Sequence, residues 1–222
     1  MVTPRNLLAA LAFLAAAHHA RAQSHPELLN VNAQLLAAAR GGDEPAVRGF
    51  LDRGADPNAR NRLGDTPLNT AARAGNLPVA RALLEMGADV DRPNLSGVTP
   101  LMSAAYGGHV QIVRMLLAAK ADANPIDRTH KTAAVYAAGE GRTEALVAIL
   151  EAGVDVNERF DNDLTLLMWA AGQGRLDTVR MLLSRGADVK ARDNRGKTAL
   201  AIAAEAGQAP EVAALRAAGA TE

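Results

Sequence analysis

The sequence predicts an all-α solenoid of about six helix pairs with projecting loops or short β-hairpins. Three columns of residues in phase predict it. Thr66, Thr99, Thr132, Thr165 and Thr198 stand 33 residues apart. Gly42, Gly75, Gly108, Gly141, Gly174 and Gly207 keep the same interval, and so do the Ala-Ala pairs at 38–39, 71–72, 104–105, 137–138, 170–171 and 203–204. A fixed period of this length marks a stacked array, in which each unit buries its apolar face only against its neighbours. Arrays of this kind are scaffolds that hold a recognition surface.

Composition narrows the core and the chemistry. Hydrophobic residues make up 49% of the chain but aromatic ones only 3%, so the core must be built from Ala, Leu, Val and Ile. Small side chains at regular intervals suit closely stacked helices. The formal net charge is zero, and no polybasic or acidic tail advertises a partner. The absence of cysteine excludes disulfides, thiolate metal sites, a cysteine nucleophile and the lipidation site of a bacterial lipoprotein.

The first element is not part of the predicted fold. Arg5 supplies a positive start, Leu7 to Ala17 is an apolar run of 11 residues, and Ala20-Arg21-Ala22 fits a small-x-small cleavage site. This is the layout of a secretory signal peptide over residues 1–22, with Gln23 as the first mature residue. The run is too short for the ~20 residues that span a bilayer as a helix. Losing Arg5 and Arg21 takes the balance of 24 bases and 24 acids to −2. A periplasmic or secreted product is expected, and an exported chain without cysteine fits the periplasm of a Gram-negative bacterium. Residues 23–32 form a lead segment, and 33–222 the repeat domain.

Within that domain a first helix pair at 33–53 lacks its own full turn. Repeats then begin near 61, 94, 127, 160 and 193. In the repeat 94–126, Gly97 sits in a turn and Thr99-Pro100-Leu101 opens a short helix. A threonine hydroxyl accepts an orphan backbone N–H, and proline at the first helical position sacrifices no hydrogen bond. That helix runs through Ala104-Ala105 and stops near Gly107-Gly108. A second helix, about Val110 to Ala119, places Ile112, Val113, Leu116 and Leu117 on one stripe. Ala121-Asp122-Ala123-Asn124 leads into the next loop. In the last helix Leu215-Arg216 replaces the usual Leu-Leu and Glu211 stands in the first turn, giving the polar outer face that a terminal cap needs.

Two antiparallel helices and a projecting loop every 33 residues resemble the ankyrin repeat. Thr66-Pro67-Leu68 and Thr99-Pro100-Leu101 match the family's T-P-L opening. Gly54-Ala55-Asp56, Gly87-Ala88-Asp89 and Gly186-Ala187-Asp188 match its G-A-D signature. The resemblance covers about residues 33 to 220. The family's histidine after T-P-L is replaced by Asn69, Met102, Val135, Met168 and Ala201, so its hydrogen bonds between loops must be replaced or lost. The turn glycine kept at Gly64, Gly97 and Gly196 becomes His130 and Asp163, residue types that tolerate positive φ. His109 matches a Gly-His step and reads as structural. Lys120 replaces the glycine ending a second helix, Ala133-Ala134 replace Pro-Leu, and Val154 breaks a G-A-D. The junction at 120–134 is therefore expected to be the least stable interface. The phase of Trp169, shared with Tyr136 and Ile202, places it in the core.

The resemblance implies a protein–protein interaction module that uses its loop tips and the exposed side of its first helices. In this sequence that surface offers Arg62, Leu63, Arg73, Leu95, Val98, Tyr106, Arg128 and Lys131, with Arg62, Arg73, Leu95 and Tyr106 at its centre. Arg and Tyr are enriched where interfaces concentrate their energy. No catalytic, cofactor or metal residue is predicted, since no phosphate loop, nucleophile elbow, H-E-x-x-H or ligand-spaced histidine pair occurs. Glu140 and Asp161 are the one pair of carboxylates that neighbouring loop ends could bring together. A mature charge of −2 with few exposed aromatics argues against nucleic acid. The expected partner is another, unidentified envelope protein. A monomer is expected, with no membrane insertion after cleavage. An inhibitor or immunity protein against a toxin enzyme, or a secreted host-directed effector, is the alternative.

Overall fold

A computed structural model describes residues 30–221. The leader expected over 1–22 lies outside the described residues, as does the lead segment up to residue 29. The described helices, in chain order, are α1 (residues 30–41), α2 (Glu44–Asp52), α3 (Pro67–Ala74), α4 (Leu77–Glu85), α5 (Pro100–Gly107), α6 (Val110–Ala118), α7 (Ala133–Gly139), α8 (Thr143–Glu151), α9 (Leu166–Gly172), α10 (Leu176–Ser184), α11 (Ala199–Glu205) and α12 (Ala209–Ala217). Helix α1 already includes residues 30–32, ahead of the expected boundary at 33. Helices α3, α5, α7, α9 and α11 stack in one row, and α2, α4, α6, α8, α10 and α12 in a second.

The columns explain this order. Each column threonine caps a first-row helix: the Thr66 hydroxyl accepts the Asn69 N–H at 3.1 Å, and Thr165 accepts that of Met168 at 3.4 Å. The Ala-Ala pairs at 71–72, 104–105, 137–138 and 170–171 are buried between neighbouring first-row helices. Their small side chains let that row pack more extensively than the second one. Leu83, Leu116, Ile149, Leu182 and Leu215 form the matching buried column of the second row.

Side chains staple successive repeats on the helix side. The His109 ring lies 3.2 Å from the Arg73 carbonyl, Arg142 donates to the Tyr106 carbonyl at 3.1 Å, and Arg175 to that of Gly139 at 2.9 Å. Gly75, at φ 73°, makes room for this: a Cβ there would lie 2.5 Å from the His109 ring. His109 is thus structural, as its phase suggested.

Among the described residues the loops contain no strands. They are tight turns, and three successive pairs are tied by a backbone bond: Leu95 N–H to the Leu63 carbonyl at 3.1 Å, Arg128 N–H to that of Ser96 at 2.9 Å and Asn194 N–H to that of Asn162 at 3.0 Å. A column that sequence reading missed shapes them. Oδ1 of Asn61, Asn94, Asp127 and Asp193 each accepts two loop N–H groups, those of residues two and four further on. Phe160 occupies that column in the fourth loop and offers no acceptor. That loop tightens into a 3₁₀ turn over Asp161–Asp163, with Asn162 and Asp163 at φ 59° and 60°. His130 also adopts positive φ, at 59°, as its turn phase required.

The family histidine is replaced only once. Asn69 donates to the carbonyls of Arg92 and Val98, both at 3.2 Å. The sulfurs of Met102 and Met168 merely accept their own caps' N–H at 3.5 Å, and Val135 and Ala201 carry no such group.

The irregular junction is confined to one edge. Lys120 takes φ 68°. On that edge Asn58 and Asn157 accept the N–H of Asp89 and Asp188, each at 2.8 Å, but no bond joins Asn124 to Asp155 among the described residues. The helices there are well packed. Helices α6 and α8 touch more extensively than α8 and α10 do. The thin places in the second row are α8–α10 and α4–α6; across the first of them the Thr143 and Thr178 hydroxyls bond at 2.8 Å. Glu211 also departs from expectation. It is 3% exposed, turned inward with Oε2 lacking a partner, so the polar outer face of α12 does not include it.

Candidate partner-binding surface

The exposed side of the first row and the loop beside it carry most of the predicted residues. Leu63, Leu95 and Tyr106 are 66%, 53% and 50% exposed, which is unusual for apolar side chains of this size among the described residues. Arg62 and Arg128 stand exposed on their loops. Val98 and Lys131 are half-buried and line clefts. They are not free loop tips. The predicted centre divides: Arg73 and Tyr106 share a cleft, while Arg62 and Leu95 stand outside it on neighbouring loops.

That first cleft, about 200 Å³, lies between the loop residues Asn94, Ser96 and Val98 and the helix residues Arg73, Tyr106 and Tyr136. Met102 and Ser103 complete its wall. Arg73 is held in place by Asp65, Nη2 to Oδ2 at 3.0 Å. Burial pushes the Asp65 carboxyl upward, but hydrogen bonds from Asn94 and Arg73 outweigh it and hold the group below its usual range. Asp65 is therefore an ionised anchor beneath the guanidinium.

A second cleft, also about 200 Å³, shares Tyr136 and is lined further by Lys131, Gly139, Glu140, Trp169 and Gln173. Both clefts are smaller than the ~300–1,000 Å³ sites that enclose small-molecule ligands, and each is sized for a single side chain. The rings of Tyr106 and Tyr136 meet edge to face, centroids 5.8 Å apart at 83°. The Lys131 ammonium lies 5.5 Å from the Tyr136 centroid and 5.4 Å from that of Trp169. The Tyr136 hydroxyl donates to Asp127 Oδ2. Burial raises the Asp127 carboxyl, yet this bond and the loop N–H groups lower it further, leaving it below the ordinary range. Burial and the same carboxylate raise the Tyr136 hydroxyl.

Trp169 packs against the edge of the core rather than inside it. It is half-buried, lines this cleft, and its Nε1 is enclosed without an acceptor. Two columns account for it. One turns from small to aromatic along the array, Thr70 and Ser103 giving way to Tyr136 and Trp169. The adjacent one turns from large to glycine over the same step, Arg73 and Tyr106 giving way to Gly139 and Gly172. The Trp169 ring covers Gly139, with Cε3 at 3.9 Å from where a Cβ would stand. Tyr136 and Trp169 are the site residues that phase alone assigned elsewhere, and the column that turns to glycine was the signal.

The two carboxylates considered for catalysis take different partners. Glu140 faces Arg175 at 3.9 Å and Asp161 faces His130 at 3.7 Å. Among the described residues no three His, Asp or Glu side chains are placed to hold a metal ion, and no helix is long and apolar enough to cross a membrane.

Comparisons with known proteins agree with the architecture. A family model described as ankyrin repeats (3 copies) matches residues 35–129, 118–193 and 134–221. Among solved structures, the human ASB11 ankyrin repeat domain superposes with a TM-score of 0.78 at 28% identity, covering 84% of each chain. No curated protein matches this chain.

Proposed function

Because the chain belongs to the ankyrin repeat family, whose repeats generally serve as protein–protein interaction modules, we propose that it is an exported, non-enzymatic module that binds another protein of the cell envelope. The binding surface is the first-row face with its loops. The observation that carries this reading is that exposed Tyr106 shares a cleft with Arg73, while exposed Leu63 and Leu95 stand on adjoining loops, with Arg62 beside Leu63. Apolar groups of this size left in water, rimmed by cations, mark an interaction patch on an otherwise ordinary surface. Export rests on the leader pattern of residues 1–22, and places the protein in the periplasm or outside the cell.

The test is affinity capture from an envelope extract with the mature chain and with Arg73→Ala/Tyr106→Ala. A defined partner retained by the first and lost by the second supports the reading. A partner held equally by both refutes the surface, and an intact leader on the protein recovered from cells refutes export.

A further inference from the structure

Resting on the reading that this face binds a protein, we infer that the partner presents an acidic segment carrying one apolar anchor residue. Three observations converge on it. The first is charge. In the N-terminal half of the face, the charged side chains that meet solvent are basic: Arg62, Arg73, Arg128 and half-buried Lys131. The two carboxylates among them, Asp65 and Asp127, are buried and their oxygens are engaged from within the fold. Arg62 and Arg128 have no side-chain partner among the described residues. An approaching chain therefore meets guanidinium and ammonium groups and no free carboxylate.

The second is shape. The cleft between Arg73 and Tyr136 is walled by Val98, Met102 and Tyr106 and has the volume of one side chain. Its apolar walls take the anchor, and Arg73 stands at its edge.

The third is the adjoining cleft. Its position over the Tyr136 and Trp169 rings is already held by the Lys131 ammonium, so a partner's cation finds that seat filled. Glu140 is turned toward Arg175. Glu140 and Gln173 also line this cleft, yet neither the ammonium nor the Trp169 N–H is met by an oxygen acceptor, which leaves the half-buried Lys131 donor to an incoming one. A carboxylate one or two residues from the anchor supplies one to Lys131, and further acids meet Arg62 and Arg128 on the loops. Complementary charge of this kind sets specificity and association rate.

The probe is a random peptide library displayed on phage and panned on the full chain. Selected sequences should carry Asp or Glu flanking a single Leu, Ile or Phe. Their affinity should fall about tenfold or more on Arg62→Glu/Arg128→Glu, two positions with no internal partner to lose, and on Lys131→Glu, and should weaken as salt rises. Unchanged melting midpoints establish that the variants fold. A pool that stays unenriched, or is enriched in Lys and Arg, overturns the acidic assignment. Neutral or basic peptides that still lose binding on Tyr106→Ala overturn only that assignment. Peptides indifferent to Tyr106→Ala overturn the binding face itself.

Discussion

Lys120 carries the clearest local cost in the array. An L-residue with a long side chain at φ 68° crowds its own carbonyl, where Gly54, Gly87 and Gly186 sit without strain at the same phase. Lys120→Gly should raise stability by about 1 kcal/mol, read as a higher urea midpoint; an unchanged or lower midpoint would show that the loop has relaxed the strain. Asp127 gives a second prediction, with a sign fixed by its environment. Its folded-state carboxyl lies below the ~3.9 of an unfolded aspartate. The stability it contributes is thus present above that value and lost as pH falls through the folded one. Asp65 and Asp193 act the same way, whereas Asp91 and Glu158, raised by burial, favour the folded form in acid and temper the loss. Asparagine already serves this column at Asn61 and Asn94. Asp127→Asn should therefore fold and lose less of its melting midpoint between about pH 5 and pH 3 than the parent does. An equal or steeper loss contradicts the assignment. Positive φ at His130 and Asp163 was readable from the period, because a conserved phase demands one backbone conformation whatever residue stands there. Trp169 was not: phase says which way a side chain points, but its cover depends on the neighbour, here Gly139.

At the scale of the element, the second-row helices rest on short stripes of buried apolar side chains, as in Ile112, Val113 and Leu116 of α6. Leu116 is fully enclosed, and Leu116→Ala should cost about 2–5 kcal/mol, with a matching fall in the denaturation midpoint. A negligible shift would place the side chain at the surface. Hydrogen exchange separates the Lys120 edge from the thin α8–α10 contact. Amides around Lys120 to Asn124 should exchange fast because the cross-repeat bond present at the other edges is missing there, while those of α6 and α8 stay protected. Exchange in α10 should run ahead of that in α6. The opposite order would return the weakest interface to the Lys120 junction, where sequence alone had put it. Sequence reading located the anomaly from three broken signatures but could not weigh it, since how closely second helices pack depends on how side chains from both helices fit together, which the period does not show.

For the whole molecule, the period was sufficient to fix the architecture. Each repeat meets only its neighbours, so in-phase columns of caps, alanine pairs and leucines determine the stack without any long-range pairing to infer. The binding face was half readable. Positions off the structural columns, among them Arg73, Leu95 and Tyr106, stood out in the sequence; Arg73 and Tyr106 share a cleft and Leu95 stands exposed on a loop outside it. Its two clefts were not readable, because they arise where one column turns aromatic at Tyr136 and Trp169 while its neighbour turns to glycine at Gly139. The most direct test of the account places a photo-crosslinking amino acid at Leu95 or Tyr106, and for comparison at Arg81 or Arg114 on the second row, in cells that make the protein. The account predicts one discrete crosslinked species from the first two positions and none from the others. Crosslinks from the second row alone, to the same species, would contradict it.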